Sequence, residues 1–396
     1  MKKKLSLVSL ILLLVMLMST PALAATVCKI GSKGYSTLQK AVNAVKNGQT
    51  ITVTKAIKAT DRVEVSNQKK FIIDFRKKKY TSKGGFTAFG IGPNSNVTVK
   101  NAKIDVQGVA FDIGQSAVLT IKSGTIKAGN FLIYGRLNIK GGTFTCNQSV
   151  NDAFFYIQNT GTVKVSKGTI TDKPSQQRGW GSIFRNGGGT LSISGGTFTF
   201  GSSQAGNMSV IVSAGTAVIS GGTFKALGDN YCITPGGNAT CTVTVKGGSF
   251  TSDRIVVQTV GASSLRLEGG TFKTLSKKIN PGIVSRGESS INISGGSFNG
   301  GFNLMDTSHM YFSGGTTDGA VVVNEGASAT IKKLTIKQKP SPGYGPESGA
   351  MLVNMGGELI VEGGKFVSKN GYGYSGDVTF AMDNYEKLFT VKAMTP

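Results

Sequence analysis

The chain has 396 residues, 56 of them glycine and nine proline, with 44 Lys and Arg against 20 Asp and Glu. Glycine this high beside proline this low excludes a flexible Pro/Gly linker, and four cysteines are too few for a disulfide framework in a chain of this length. The net charge of +24 falls to +21 when the three lysines of the leader (Lys2, Lys3, Lys4) are set aside, and a field of that size favours anionic partners and weakens with salt.

Residues 1–24 read as an export signal. Lys2 to Lys4 form a basic start, Leu5 to Met18 is almost wholly apolar, and Pro21 precedes the small-residue cleavage site Ala22-Leu23-Ala24. The apolar stretch is short for a membrane span. No later segment is apolar enough to serve as one, so the chain is expected to be secreted, possibly surface-associated, without a transmembrane anchor. Val27 ahead of Cys28 argues against lipidation.

Residues 25–60 are expected to form an N-terminal cap. Within them Leu38, Ala41, Val42 and Val45 recur at helical spacing, Ser36 or Thr37 can cap the helix, and Gly48 can end it. Ile51 to Val53 and Phe71 to Phe75 then read as strands.

Residues 61–377 are a tandem array. Leu137-Asn-Ile139-Lys-Gly141-Gly142-Thr143-Phe144 recurs as Leu191 to Phe198, and again in copies ending at Phe224, Phe250, Phe272, Phe298 and Phe366. Weaker copies end at Ile104, Ile126, Ile170, Thr317 and Ile336, usually 22 to 28 residues apart. Alternation of Leu, Ile and Val with Ser, Thr, Asn and Lys gives strands with one buried face, and the paired glycines permit a bend. A second strand follows in each unit, as in Phe154 to Ile157 and Val321 to Val323. A polar column (Asp112, Asn159, Arg185, Ser213, Thr234, Thr259, Ser285, Asn324, Asn354) is expected to ladder at one corner. A Thr/Ser column from Thr143 to Ser297 is expected on the solvent face. Units this short cannot bury an apolar face alone, so they must stack. At about 4.8 Å per coil, a dozen coils make a rod on the order of 60 Å long. The tail, 378–396, is expected to finish the far end.

Tyr35-Ser-Thr-Leu38-Gln-Lys-Ala41, Gly48-Gln-Thr-Ile51-Thr-Val53, Ile72-Ile-Asp-Phe75 and the Gly-Gly-Thr-Phe series resemble the pectate-lyase-like superfamily, in particular its repeat-rich secreted bacterial members. The resemblance covers nearly all of the chain after the leader. It implies an all-β, single-stranded right-handed parallel β-helix with an N-terminal capping helix. The superfamily includes polysaccharide lyases, polygalacturonases, tailspikes and adhesins, so fold does not choose the activity.

No calcium nest of converging acids is read, nor paired carboxylates of the hydrolase kind. Asp306 and the single histidine, His309, could cooperate, but a solvated turn pair accounts for them far better. No catalytic residue, metal site or cofactor is therefore assigned. Cys232 and Cys241 could bridge across a turn; buried free thiols are the other reading. Insertions after the Gly-Gly-Thr-Phe strand carry Arg178, Trp180, Tyr344, Tyr372 and Tyr374, and Arg185 interrupts the small polar column. Aromatic rings stack on sugar faces while cations hold acidic groups, so these six residues are the candidate ligand contacts. The expected function is an adhesin-like, carbohydrate-binding cell-surface protein that contacts polysaccharide, a cell-wall polymer or another anionic polymer without catalysis. No specific nucleic acid is expected, and the oligomeric state stays open. The alternatives are a lyase or hydrolase acting on acidic polysaccharide, and a structural stalk.

Overall fold

The structure, a computed structural model, describes residues 25–66, 68–82, 84–147, 153–172, 181–201, 208–228, 230–275, 281–338, 349–368 and 372–390. It is a parallel β-solenoid of about 12 turns. Three stacks of strands run the length of the rod, each strand pairing with its counterpart one coil away.

The Gly-Gly-Thr-Phe strands form one stack. Its inward column runs Ile104, Ile126, Phe144, Ile170, Phe198, Phe224, Phe250, Phe272, Phe298, Thr317, Ile336, Phe366 and Phe389, each opposite the next. The weak copies thus occupy the same rung position as the strong ones. The strand before the glycines forms the second stack, with Leu119, Leu137, Val163, Leu191, Ala217, Val243, Leu265, Ile291 and Met310 in one buried column. The third stack carries Phe111, Phe131, Phe155, Phe184, Val210, Ile233, Val257, Ile283, Phe302, Val321 and Leu352 inward. These columns close on a single continuous core.

Each glycine of the pair has its own reason. The second of them, at Gly196, Gly222, Gly248, Gly270 and Gly296, has φ between +104° and +114°, where L residues are strained. The first approaches backbone: a Cβ on Gly195, Gly221, Gly269 or Gly295 would lie 2.5–2.7 Å from a carbonyl oxygen of the preceding coil.

In the middle of the rod the second and third stacks fuse. Ser182–Ile193, Met208–Ile219, Tyr231–Val245 and Val257–Leu267 are single strands that turn the corner without leaving the ladder. This differs from the two short strands per unit read in the sequence. The Asn186-Gly187-Gly188-Gly189 and Pro235-Gly236-Gly237 segments allow it, because extended glycine bends within a ladder with only a register shift.

The polar column is not one ladder. Asp112, Arg185 and Thr234 share one row of rungs, half-buried, exposed and buried in turn, whereas Thr259, Ser285 and Asn354 fall on the next, inward-turning position. Counting back from the nearest glycine hides this one-residue difference, which changes the face. The buried corner polar groups instead form local sets. Thr259, Ser285 and Ser289 share hydroxyl hydrogen bonds of 2.8–3.0 Å, and the Asn186 amide donates to the Gly189 and Thr216 carbonyls.

At the start of the chain the helix spans Leu38–Ala44, with Thr37 Oγ accepting from the Lys40 N–H. Leu38, Ala41, Val42 and Val45 are all buried in the common core. The helix ends before Gly48, at Val45, whose backbone turns extended. Ahead of it, Cys28–Ile30 pairs antiparallel with both Lys33–Tyr35 and Thr50–Val53, an arrangement the sequence reading did not include. No helix among the described residues is long and apolar enough to cross a membrane.

Candidate functional site

The third stack ends at the corner where Gly114-Gln115, Tyr134-Gly135 and Asn159-Thr160-Gly161 turn into the second stack. The turns lie on successive coils because the strands before them are in register, Ile113 opposite Ile133 and Ile133 opposite Ile157. Glycine is required here by close approach: a Cβ on Gly135 would sit 2.3 Å from the Gly114 carbonyl, and one on Gly161 2.2 Å from that of Ile133. The stacked turns enclose an open hollow of ≈ 480 Å³ lined by Gln115, Tyr134, Gln158, Asn159 and Thr160. Tyr134 is 41% exposed, the one aromatic among the described residues that is so exposed. Thr160 Oγ donates to the Tyr134 carbonyl at 2.7 Å and fixes one turn over the other.

Arg185 lies one coil beyond Tyr156 on the outward column of the same stack. It is exposed, and its guanidinium sits 5.6 Å from the Tyr156 ring centroid. The ring restrains a long side chain whose charge still faces solvent.

The six residues proposed from sequence do not gather in one place. Arg178, Trp180 and Tyr344 lie outside the described residues. Tyr372 is half-buried on a strand, opposite Ala350. Tyr374 occupies the same inward column as Phe184, eight coils further on, about 38 Å at 4.8 Å per coil. It packs on Phe380 and Phe389 at ring distances of 5.1 and 6.1 Å, and burial first, then the Tyr385 hydroxyl, pushes its own hydroxyl up. Of the three described ones, Arg185 is the one on a coil next to the hollow. The insertions do leave from one edge: the strands ahead of them, Thr169–Asp172, Thr197–Gly201, Thr335–Gln338 and Lys365–Ser368, belong to one sheet.

The residues that sequence reading missed are Tyr134, Gln115 and Gln158. The available signal was positional: Gln115 and Tyr134 adjoin a glycine and Gln158 lies three residues before one, each just past the end of a third-stack strand, so stacked turns bring them together.

The acidic groups are spread out. Asp306 Oδ2 accepts from the Gly287 N–H at 3.0 Å, while His309 Nδ1 meets Ser328 Oγ at 2.8 Å, so the two are engaged with different partners. Asp74 accepts from Asn101 and the Arg76 N–H, with Lys100 at 3.4 Å. Burial alone would raise its carboxyl, but these donors and that charge hold it below the usual range. Among the described residues no three of His, Cys, Asp or Glu converge. Cys28, Cys146, Cys232 and Cys241 are all buried, and none is joined to another in a disulfide.

The outward face of the Gly-Gly-Thr-Phe sheet carries Thr125, Thr143, Thr169, Thr197, Thr223, Ser249, Thr271, Ser297, Thr316 and Thr335 as one unbroken column in register. No family model, no curated protein and no solved structure matches the chain.

Proposed function

We propose that this protein is an exported, non-catalytic polysaccharide-binding β-helix of the pectate-lyase-like, right-handed kind, with the Leu38–Ala44 helix closing its first coil. The observation that carries the reading is the hollow at the third corner. An exposed Tyr134 ring stands beside the amides of Gln115, Gln158 and Asn159 and the Thr160 hydroxyl. An aromatic face supplies stacking area for the apolar face of a sugar ring. Side-chain amides both donate and accept, as sugar hydroxyls require. Arg185, held over Tyr156 one coil away, offers a cation to an acidic substituent further along the same chain.

Nothing in this arrangement needs a reacting group. The solenoid makes the site rigid, so binding costs little ordering of the protein. The measurement is binding to a panel of neutral and acidic polysaccharides by affinity electrophoresis. Tyr134→Ala is expected to weaken binding of the preferred glycan about tenfold, equivalent to about 1.4 kcal/mol. Arg185→Ala should weaken only acidic ligands. Undiminished binding by Tyr134→Ala would remove this site, shortening of the polymer would replace the reading with an enzymatic one, and no binding by the parent protein would leave a stalk.

A further inference from the structure

The position that follows each second-stack strand forms a column of its own. The Lys122 N–H donates to the Val99 carbonyl and the Lys140 N–H to that of Ile121, both at 2.9 Å, so pairing continues through the lysines. Lys100, Lys122 and Lys140 therefore lie one above another on three adjacent coils, about 4.8 Å apart at the backbone. One coil earlier the same rung is Asp74, opposite Lys100, so the column begins at Lys100; Lys77 adjoins it from the following turn, where its N–H donates to the Asn101 carbonyl at 2.9 Å.

Like charges on adjacent rungs destabilise a sheet, and the fold does not require them here. In the next three coils the same position, with the same hydrogen bond, is Ser166, Ser194 and Ser220. Of the four basic residues, Lys100 has an acidic neighbour, Asp74. Among the described residues Lys77, Lys122 and Lys140 have none within ion-pair distance, and all three are exposed. The turn that presents Lys77 is itself strained: Arg76 and Lys77 have φ of +46° and +59°, a region that favours glycine or asparagine.

The whole chain repeats this asymmetry. Residues 25–170 hold 22 Lys and Arg against six Asp and Glu, a net +16, whereas residues 281–396 hold nine against ten, a net −1. A rod charged at one end is suited to attachment by that end.

We infer that the lysine column of the first coils is a second binding site, for a linear phosphodiester glycopolymer lying along the rod axis, and that it tethers the protein while the later coils project. The spacing of one cation per coil suits a chain with a regular series of charges. Lysine meets phosphate as a point charge, whereas a carboxylate ligand would favour the forked geometry of arginine. Polynucleotides share the phosphodiester chemistry but rely on aromatic stacking for their bases. Tyr134, Val218, Val260, Leu275 and Met355, the exposed large apolar residues among those described, do not belong to this column. The site is separate from the Tyr134 hollow and does not depend on it.

The test is binding of a labelled, purified poly(glycerol phosphate) chain to the protein between about 50 and 200 mM salt. Combined K77Q, K122Q and K140Q should lower the slope of log affinity against log salt by about two, with roughly tenfold weaker binding at low salt. Combined K332Q, K333Q and K365Q, in the near-neutral coils, should change neither. Lys122→Gln alone should lower the slope by about 0.7, which serves if the triple variant folds poorly. Equal losses from the two triple variants would reduce the effect to net charge and overturn the site. So would an unchanged slope, or tighter binding of a thymidine oligonucleotide than of the polymer. Glycan binding at the Tyr134 hollow, measured on the same variants, should be unaffected, so failure of one site is distinguishable from failure of the other.

Discussion

The middle coils and the first coils solve the same packing problem differently. From Phe198 to Phe298 every coil repeats Gly-Gly-[Thr/Ser]-Phe, and the rings stack face to face at 4.5–5.0 Å with interplanar angles of 9–13°. Between Phe75 and Phe155 the column alternates Phe, Tyr and Ile, and several of the ring pairs are edge-on or tilted, as with Phe75 on Tyr80 at 84° and Phe131 on Phe144 at 59°. The left-handed turns differ too. Among the described residues the non-glycine positive-φ positions up to residue 116 are Gln68, Arg76, Lys77, Asn94, Asn101 and Ser116, and the next is Asp306. Sequence regularity gives identical environments and parallel rings. Where the repeat is worn, side-chain hydrogen bonds such as Asn101 to Asp74 at 3.0 Å hold turns that glycine holds elsewhere.

The largest test of this contrast is ring truncation. Phe250→Ala removes a buried ring stacked between Phe224 and Phe272, and should cost about 3–5 kcal/mol in urea unfolding. Phe144→Ala buries as deeply, but its ring partners Phe131 and Phe155 stand 6.3 and 6.0 Å away at steep angles. It should cost about 1 kcal/mol less. Equal losses would mean that the parallel stack adds nothing beyond burial.

Glycine replacement comes next. Gly248→Ala forces a side chain to φ +114°, with its Cβ 3.1 Å from the Gly222 carbonyl, and should cost about 1–2 kcal/mol. Gly85→Ala, in the first coils, meets nothing within 4 Å and should stay within about 0.5 kcal/mol of the parent.

Thiol chemistry probes both regions at once. Burial pushes Cys28, in the first coils, up to about 11, and Cys232, in the middle, up to about 12. The folded state therefore keeps protons that the unfolded chain releases near pH 9. This contribution to stability is complete below about pH 9 and is lost as pH rises through 11 and 12. A thiol reagent at pH 8 should label neither residue until the protein is unfolded. Rapid labelling of Cys28 alone would show the first coils opening independently of the middle.

The smallest effect is expected at the strained turn. Lys77→Gly relieves the left-handed conformation but adds entropy to the unfolded chain, for a net gain of about 0.5 kcal/mol. A loss instead would mean that the lysine stem packs usefully on the rod.

The parallel solenoid, the core columns and the residues that build the N-terminal helix were all legible in the sequence. Periodicity of two, a recurring glycine pair and repeats too short to bury themselves admit few other solutions, because backbone pairing and apolar burial are both local to adjacent coils. Even Ile104 and Thr317, which lack the Phe, fall on the expected rung. The corner chemistry was not legible. Whether Arg185 or Asn186 faces the interior depends on which of them pairs with Tyr156 and which with Ile157 in the preceding coil. Whether Tyr134 meets Gln158 depends on turns from different coils being superposed. The lysine column likewise joins residues 18 to 22 positions apart, with no shared motif. Those contacts arise between coils, so only the stacking of the tertiary structure decides them.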